Sequence, residues 1–399
     1  MIYFIVFILL LILSIRYDIN GKVKGRNQWY IAMLFIFILI AGLKWRLGVD
    51  TPEYINSYFY ATEPLDRFSL SKFSFGGKPL WQLVNSFVKM CGGHFYVVQL
   101  IHATFVNTLL FIYFKRHSLY IFTCLFFYFI HGYTNMNMEE MKASMSIVVF
   151  LFANDFLLEG KKIKAGVLYL VAILFHSQAV ILLITPFLMS VRLNRKGMLI
   201  MIGAFFVGYT LQIMLGTYLE LIELIGDEVI LNKATSYSSI DQYMDANPSL
   251  IGKLVREIPY IVYPILCLIF VKNKYCETTI IKLEPLILIG VIFVLLQTNV
   301  RIFYRYHECF NIYFIIVFAH VLVNMAKQNG KQKMLYSIRA VRAFIVFSPL
   351  IISMLLLYAK DTVYVRYYPY SSVIEKSLDK DRESFYDSWL RPAPKVSEY

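Results

Sequence analysis

Phe95-Tyr-Val-Val-Gln-Leu-Ile-His-Ala-Thr-Phe-Val-Asn-Thr-Leu-Leu-Phe-Ile-Tyr-Phe114 is followed at once by Lys115 and Arg116. About twenty residues without Asp, Glu, Lys or Arg make a helix about 30 Å long, the thickness of a bilayer's hydrocarbon core. The two cations then stop it at a membrane surface. Working outward, similar runs recur over Met1–Ile15, Trp29–Leu43, Leu119–Gly132, Met141–Leu158, Met198–Leu215, Ile258–Val271, Pro285–Thr298, Cys309–Met325 and Ala343–Tyr358. Several are shorter than a full crossing, and flanking Tyr, Trp and Lys extend them. The expectation is an all-α polytopic membrane protein with about ten transmembrane helices, forming a single integral membrane domain over residues 1–399.

Composition agrees. Of 399 residues, 58% are hydrophobic and only 16% charged, against about 25% charged in a soluble domain. The net charge of +13 would suit nucleic acid in a soluble protein. Here the cations sit in short clusters between apolar runs, as the positive-inside rule requires, and no nucleic-acid partner is expected. The five cysteines show no CxxC pair or Cys/His metal spacing, which argues against a disulfide framework or structural zinc. Met1–Ile15 lacks a basic start and a small-residue cleavage site, so it reads as a retained first span.

The basic clusters thread the chain. Arg16, Lys22, Lys24 and Arg26 place the first loop inside and the N-terminus outside. Lys115–Arg116, Lys161–Lys164, Arg192–Lys196, Lys272–Lys274 and Lys327–Arg342 then also fall inside. This holds if Pro79–Met90 does not cross and residues 165–189 form a broken, re-entrant hairpin about Phe175-His-Ser-Gln178. Outside lie a loop over 44–78, a larger acidic loop over 216–257 and the tail 360–399.

Polar residues at membrane depth are expensive and mark candidate sites. Arg46 and Asp50 follow the second run, where Gly48 and Pro52 mark a turn. An interfacial ion pair at a helix end explains them as well as a binding role does. Glu139 and Glu140 suit a helix N-terminus, but Lys142 sits at the wrong end of the helix dipole. His176 breaks an apolar hairpin, as a hydrogen-bonded packing residue or as a base near neutral pH. Arg301 and Arg305, four apart, would share one helix face. They read either as snorkelling anchors or as guanidinium forks for phosphate.

The same segments, in order, resemble elements of the EpsG/Wzy family of bacterial polysaccharide polymerases. Arg46-Leu-Gly-Val-Asp50-Thr-Pro-Glu-Tyr54 is similar to an Arg-x-Gly-x-Asp-x-x-x-Tyr element. Lys78-Pro-Leu-Trp81 is similar to a Glu-Pro-hydrophobic element, with Lys for Glu. Met138-Glu-Glu-Met-Lys142-Ala143 stands where the family often has Ile-Arg-Gln-x-x-Ala, with Lys142 in place of Arg. Leu174-Phe-His176-Ser-Gln-Ala179, Arg301-Ile-Phe-Tyr304 and Tyr368-Pro-Tyr370 complete the series. The resemblance implies a multi-span, lipid-donor (GT-C-like) glycosyltransferase that joins undecaprenyl-pyrophosphate-linked oligosaccharide repeats at the outer face of the inner membrane. Arg46, Lys142, Arg301 and Arg305 would hold pyrophosphate, with Tyr304 and Tyr54 beside them. His176 or Asp50 would be the base. No cofactor and no metal are expected; membrane lipids and a chain-length regulator are the expected partners. A ligase, another lipid-donor glycosyltransferase and a flippase or transporter of lipid-linked sugar remain the competing readings.

Overall fold

The computed structural model describes residues 2–67, 78–225, 250–274, 278–327 and 366–374. The expected last run, Ala343–Tyr358, lies outside the described residues, as do most of the tail 360–399, residues 68–77 of the first outer loop and 226–249 of the second. Among the described residues every regular element is helical. Four helical stretches, Ile2–Ile19, Phe95–His117, Met141–Leu158 and Arg195–Met214, are long and apolar enough to cross a membrane. Five shorter apolar helices are Arg26–Gly42, Ile121–His131, Ser177–Leu188, Glu284–Gln297 and Asn311–Lys327.

The first helix, α1 (Ile2–Leu13), shows what surrounds the molecule. Val6, Leu10 and Leu13 are buried, whereas Phe4, Ile5, Ile8 and Ile12 are exposed. A helix on a water-soluble protein carries polar side chains on its outer face. Here both faces are apolar, which is the surface of a membrane protein.

Helices cluster into two compact units: Met1–Val180 with Leu322–Tyr399, and Ile181–Val321. The first contains α2 (Arg26–Gly42), α3 (Thr51–Asn56), α4 (Pro79–Met90), α5 (Phe95–His117), α6 (Ile121–His131), α7 (Met141–Leu158) and α8 (Lys162–Phe175). Apolar contact drives little association in lipid, so close packing and interhelical hydrogen bonds must hold such helices. Tyr30 Oη donates to Phe111 O at 2.6 Å and Tyr133 Oη to Phe37 O at 2.6 Å. Tyr169 Oη meets Asn154 Oδ1 at 2.6 Å between α8 and α7. Asp18, buried, accepts from Thr123 N and Oγ1 at 2.7 and 2.9 Å and faces Arg26 at 3.4 Å. The twelve residues of α4 rise only about 18 Å, short of the bilayer core.

These contacts sort the unit's charges into two ends. Arg116 meets Glu159 at 2.8 Å and His117 meets Asp155 at 2.8 Å, so the C-terminal ends of α5 and α7 lie together. The start of α2 joins that end through Tyr30. Its far end meets the start of α5, where Gln99 Nε2 donates to Lys44 O at 3.1 Å. Arg26, Arg116 and Lys161 thus gather at one end, and the segment after α2 lies at the other.

In the second unit, α9 (Thr185–Leu188), α10 (Arg195–Ile225) and α11 (Leu250–Lys274) surround α12 (Glu284–Gln297). Buried Glu284 accepts from Leu193 N at 2.6 Å and Lys272 Nζ at 2.5 Å. Residues 216–225 continue α10 and 250–257 open α11, so these two stretches of the expected 216–257 loop are helical. The segment Tyr218-Leu-Glu-Leu-Ile-Glu-Leu-Ile225 contains no Gly or Pro to stop the helix.

Candidate functional site

Three sequence-distant elements meet at the end of the first unit opposite its Arg26–Arg116–Lys161 end. The first is the turn after α2. Arg46 has φ +47° and Gly48 φ +92°, left-handed conformations that fold the chain sharply. A Cβ at Gly48 would lie 2.1 Å from Met138 O, so only glycine lets the two backbones touch. Asp50 then precedes α3, which starts with Pro52 in its first turn.

The second element is the approach to α7. Asn135–Glu139 form a π-helical turn, and Glu140 caps α7 without a side-chain bond. Such turns occur often at functional sites. Thr51 Oγ1 lies 2.6 Å from Leu47 O and 3.1 Å from Met138 O, and its one proton favours the shorter bond. Lys44, fully buried, donates from Nζ to Asn137 O at 2.9 Å and Met138 O at 2.8 Å. Burial drives its ammonium down to about 7, against smaller opposing effects of Glu139 and Asp50.

The third element is Lys78-Pro-Leu-Trp81, where Pro79 opens α4. The Trp81 and Tyr54 rings lie 5.6 Å apart, and Lys142 Nζ sits 4.7 Å from the Tyr54 ring centroid. Lys142 lies in the field of Lys78, Glu53 and Asp50. Burial and the charges of Asp50, Glu140 and Glu53 hold the Tyr54 phenol well above its usual range. The Arg46 guanidinium stacks over Trp45, 5.2 Å from its centroid. Arg46, Asp50, Tyr54 and Lys142 are therefore local to one another.

His176 belongs to the same end. It terminates α8 in an extended conformation, and its N–H bonds Ala172 O at 3.0 Å. Ser146 Oγ of α7 donates to that same carbonyl at 2.7 Å. Ser146 lies one turn beyond Lys142 on the same helix face. The break in the helix thus falls beside the N-terminal turn of α7.

The C-terminal Tyr368-Pro-Tyr370 element joins this end too. Trp45 N bonds Ser371 O at 2.9 Å, Val373 N bonds Leu43 O at 2.8 Å, and Gly48 N bonds Arg366 O at 3.0 Å. Arg366 Nη1 lies 3.6 Å from Glu139 Oε1.

Sequence reading passed over the buried polar layer behind these residues. His102 Nε2 pairs with Ser144 Oγ at 2.8 Å, and Asn107 Nδ2 donates to Asn137 Oδ1 at 2.7 Å. Asn137 Nδ2 donates in turn to Tyr128 Oη at 2.9 Å. The signal was present: Gln99, His102 and Asn107 lie near one face of an otherwise apolar helix.

Arg301, Tyr304 and Arg305 lie in the second unit. Here the expectation of one continuous α-helical face is corrected. Arg301–Phe303 form a 3₁₀ turn and Tyr304–Glu308 a short helix, α13. A 3₁₀ turn has three residues per turn, so spacing of four no longer superposes 301 on 305. Arg305 Nε donates to Tyr304 Oη at 3.2 Å, with its guanidinium 5.7 Å from that ring's centroid.

No curated protein and no solved structure matches the chain. A family model does: residues 27–372, most of the chain and all six elements above, match the EpsG family. The protein belongs to the EpsG family, whose members are Wzy-like polysaccharide polymerases.

Proposed function

We propose that this protein joins undecaprenyl-pyrophosphate-linked oligosaccharide repeats into a surface polysaccharide at the outer face of the bacterial inner membrane. The carrying observation is the meeting of Arg46–Tyr54, Lys78–Trp81 and Glu139–Lys142 at one end of the first unit. Cations, carboxylates and aromatic faces there suit a sugar bearing a pyrophosphate. The opposite end carries the Arg26, Arg116 and Lys161 clusters, which favour the cytoplasmic side.

In the reaction, an acceptor hydroxyl oxygen bonds to the anomeric carbon of the donor sugar. The bond from that carbon to the pyrophosphate oxygen breaks, and lipid pyrophosphate leaves as an anion. Lys142 and Arg46 stabilise that developing charge, with Tyr54 orienting Lys142; Arg301 and Arg305, with Tyr304, are the second unit's candidates for holding pyrophosphate. His176 or Asp50 takes the hydroxyl proton. A chain-length regulator would act on the same polymer.

The test is polymer ladder length in a strain deleted for the gene and complemented with wild type, Arg301→Ala or His176→Ala. Loss of the ladder with single repeats still at the surface supports the reading. Normal polymer amount and length in an inserted Arg301→Ala protein removes that arginine from pyrophosphate binding. An unchanged ladder in the deletion strain rejects polymerisation and favours transport or another glycosyl transfer.

A further inference from the structure

The Met138 carbonyl is closely surrounded at this end of the first unit. Lys44 Nζ donates to it at 2.8 Å, Thr51 Oγ1 lies against it at 3.1 Å, and Gly48 leaves it room that any Cβ would fill. The preceding carbonyl, of Asn137, also accepts from Lys44, at 2.9 Å. Both belong to the π-helical turn that ends at Glu139 and from which Glu140 and Lys142 follow. Lys44 is itself held on two sides. Gln99 of α5 donates to its carbonyl at 3.1 Å, and its backbone bridges to Ser372.

A fully buried lysine is a costly choice for filling space, since methionine would pack there without desolvating an amine. The side chain supplies hydrogens that reach two consecutive carbonyls. Glutamine is one bond shorter, and arginine brings five donors on a broader head to a sealed place.

We propose that Lys44 is a positioning residue for polymerisation: it fixes the 137–138 backbone so that Lys142 stands in register with Asp50 and Tyr54. This rests on the function proposed above. Lys44 touches no reacting atom in this scheme. It acts on the transition state through Lys142, so its loss lowers kcat and kcat/KM together rather than raising KM alone.

The experiment uses the full-length protein in liposomes, with lipid-linked repeat units extracted from the deletion strain as substrate. Lys44→Ala is expected to lower turnover by on the order of 10²-fold, the usual cost of about 1 Å of misplacement. Propylamine should restore part of it by returning an amine to the cavity, and 1-propanol should restore less. Wild-type turnover in Lys44→Ala, a loss confined to KM, or equal rescue by 1-propanol would each overturn the proposal. Should Lys44→Ala fail to fold, Lys44→Met fills the same space and supplies no N–H to the two carbonyls. It should lower turnover at unchanged KM, and normal turnover there overturns the proposal. If wild-type liposomes make no polymer and the deletion strain keeps its ladder, the proposed function falls instead.

Discussion

Replacing Gly48 by alanine tests the close approach on which the site's geometry depends. The new methyl would stand 2.1 Å from Met138 O and 3.3 Å from Glu139 Cγ, at a residue whose φ is +92°. An L-residue in left-handed backbone costs about 1–2 kcal/mol. Overpacking against a group that cannot rotate away adds about 1–3 kcal/mol. The Met138 carbonyl also cannot retreat without stretching its 2.8 Å bond from Lys44. The expected loss is about 2–5 kcal/mol, read by unfolding titration in mixed micelles. Gly166→Ala is the control, because a Cβ there meets nothing within 4 Å and its φ is ordinary. Gly48→Ala unfolding with wild type, and making a normal ladder, would refute the argument that these two backbones are in contact.

The buried Lys44 amine gives stability a pH slope. Its folded value is about 7 against an ordinary 10.5 for lysine, so between those values the unfolded chain binds more protons and stability rises with pH. The slope is about 1.4 kcal/mol per unit; comparing unfolding of wild type and Lys44→Met from pH 6 to 9 checks it, and parallel curves would contradict it. Glu284→Ala, in the second unit, should cost about 2–4 kcal/mol, since Lys272 and Leu193 N–H lose a buried acceptor; an unfolding titration within error of wild type would contradict that. Lys142→Ala should abolish polymer while Lys142→Arg retains part of it, scored by ladder length at equal membrane levels. Equal ladders in both variants would remove the charge of Lys142 from the reaction.

The membrane class was legible because a crossing helix demands a long apolar run that little else in a sequence imitates. The candidate site was legible in pieces. Lys142 and His176 fall within apolar stretches and Arg46 and Asp50 directly follow one, the local signature of a polar group kept at a cost. Their juxtaposition was not legible, because it depends on contacts such as Gly48 with Met138, ninety residues apart in sequence. The pairing of Leu43–Gly48 with Arg366–Val373 is more distant still, and no periodicity encodes it. Lys44 was missed for another reason. Beside Arg46 it reads as one more interfacial cation, and only burial distinguishes a lysine that serves the backbone from one that faces a ligand. The face shared by Arg301 and Arg305 failed because spacing of four carries meaning only inside an α-helix, and the helix begins at Tyr304.

Lys142 is the residue that sequence alone left least explained, standing at the N-terminal turn of α7 against the helix dipole. Its surroundings account for it. The ammonium rests against the face of Tyr54, and the carboxylates of Asp50 and Glu53 act on it while Lys78 opposes them. A ring face attracts a cation without spending its N–H groups as a carboxylate would. Lys142 is thus held in place by one partner and balanced by others, which suits the anion-binding role proposed for it. A cation locked in a direct ion pair would have to break that pair before binding phosphate. A cation with no support would not stay at a membrane boundary. The arrangement at Tyr54 lies between these limits, and in the proposed reaction the turn behind it, pinned through Met138, would keep that balance when a charged substrate binds.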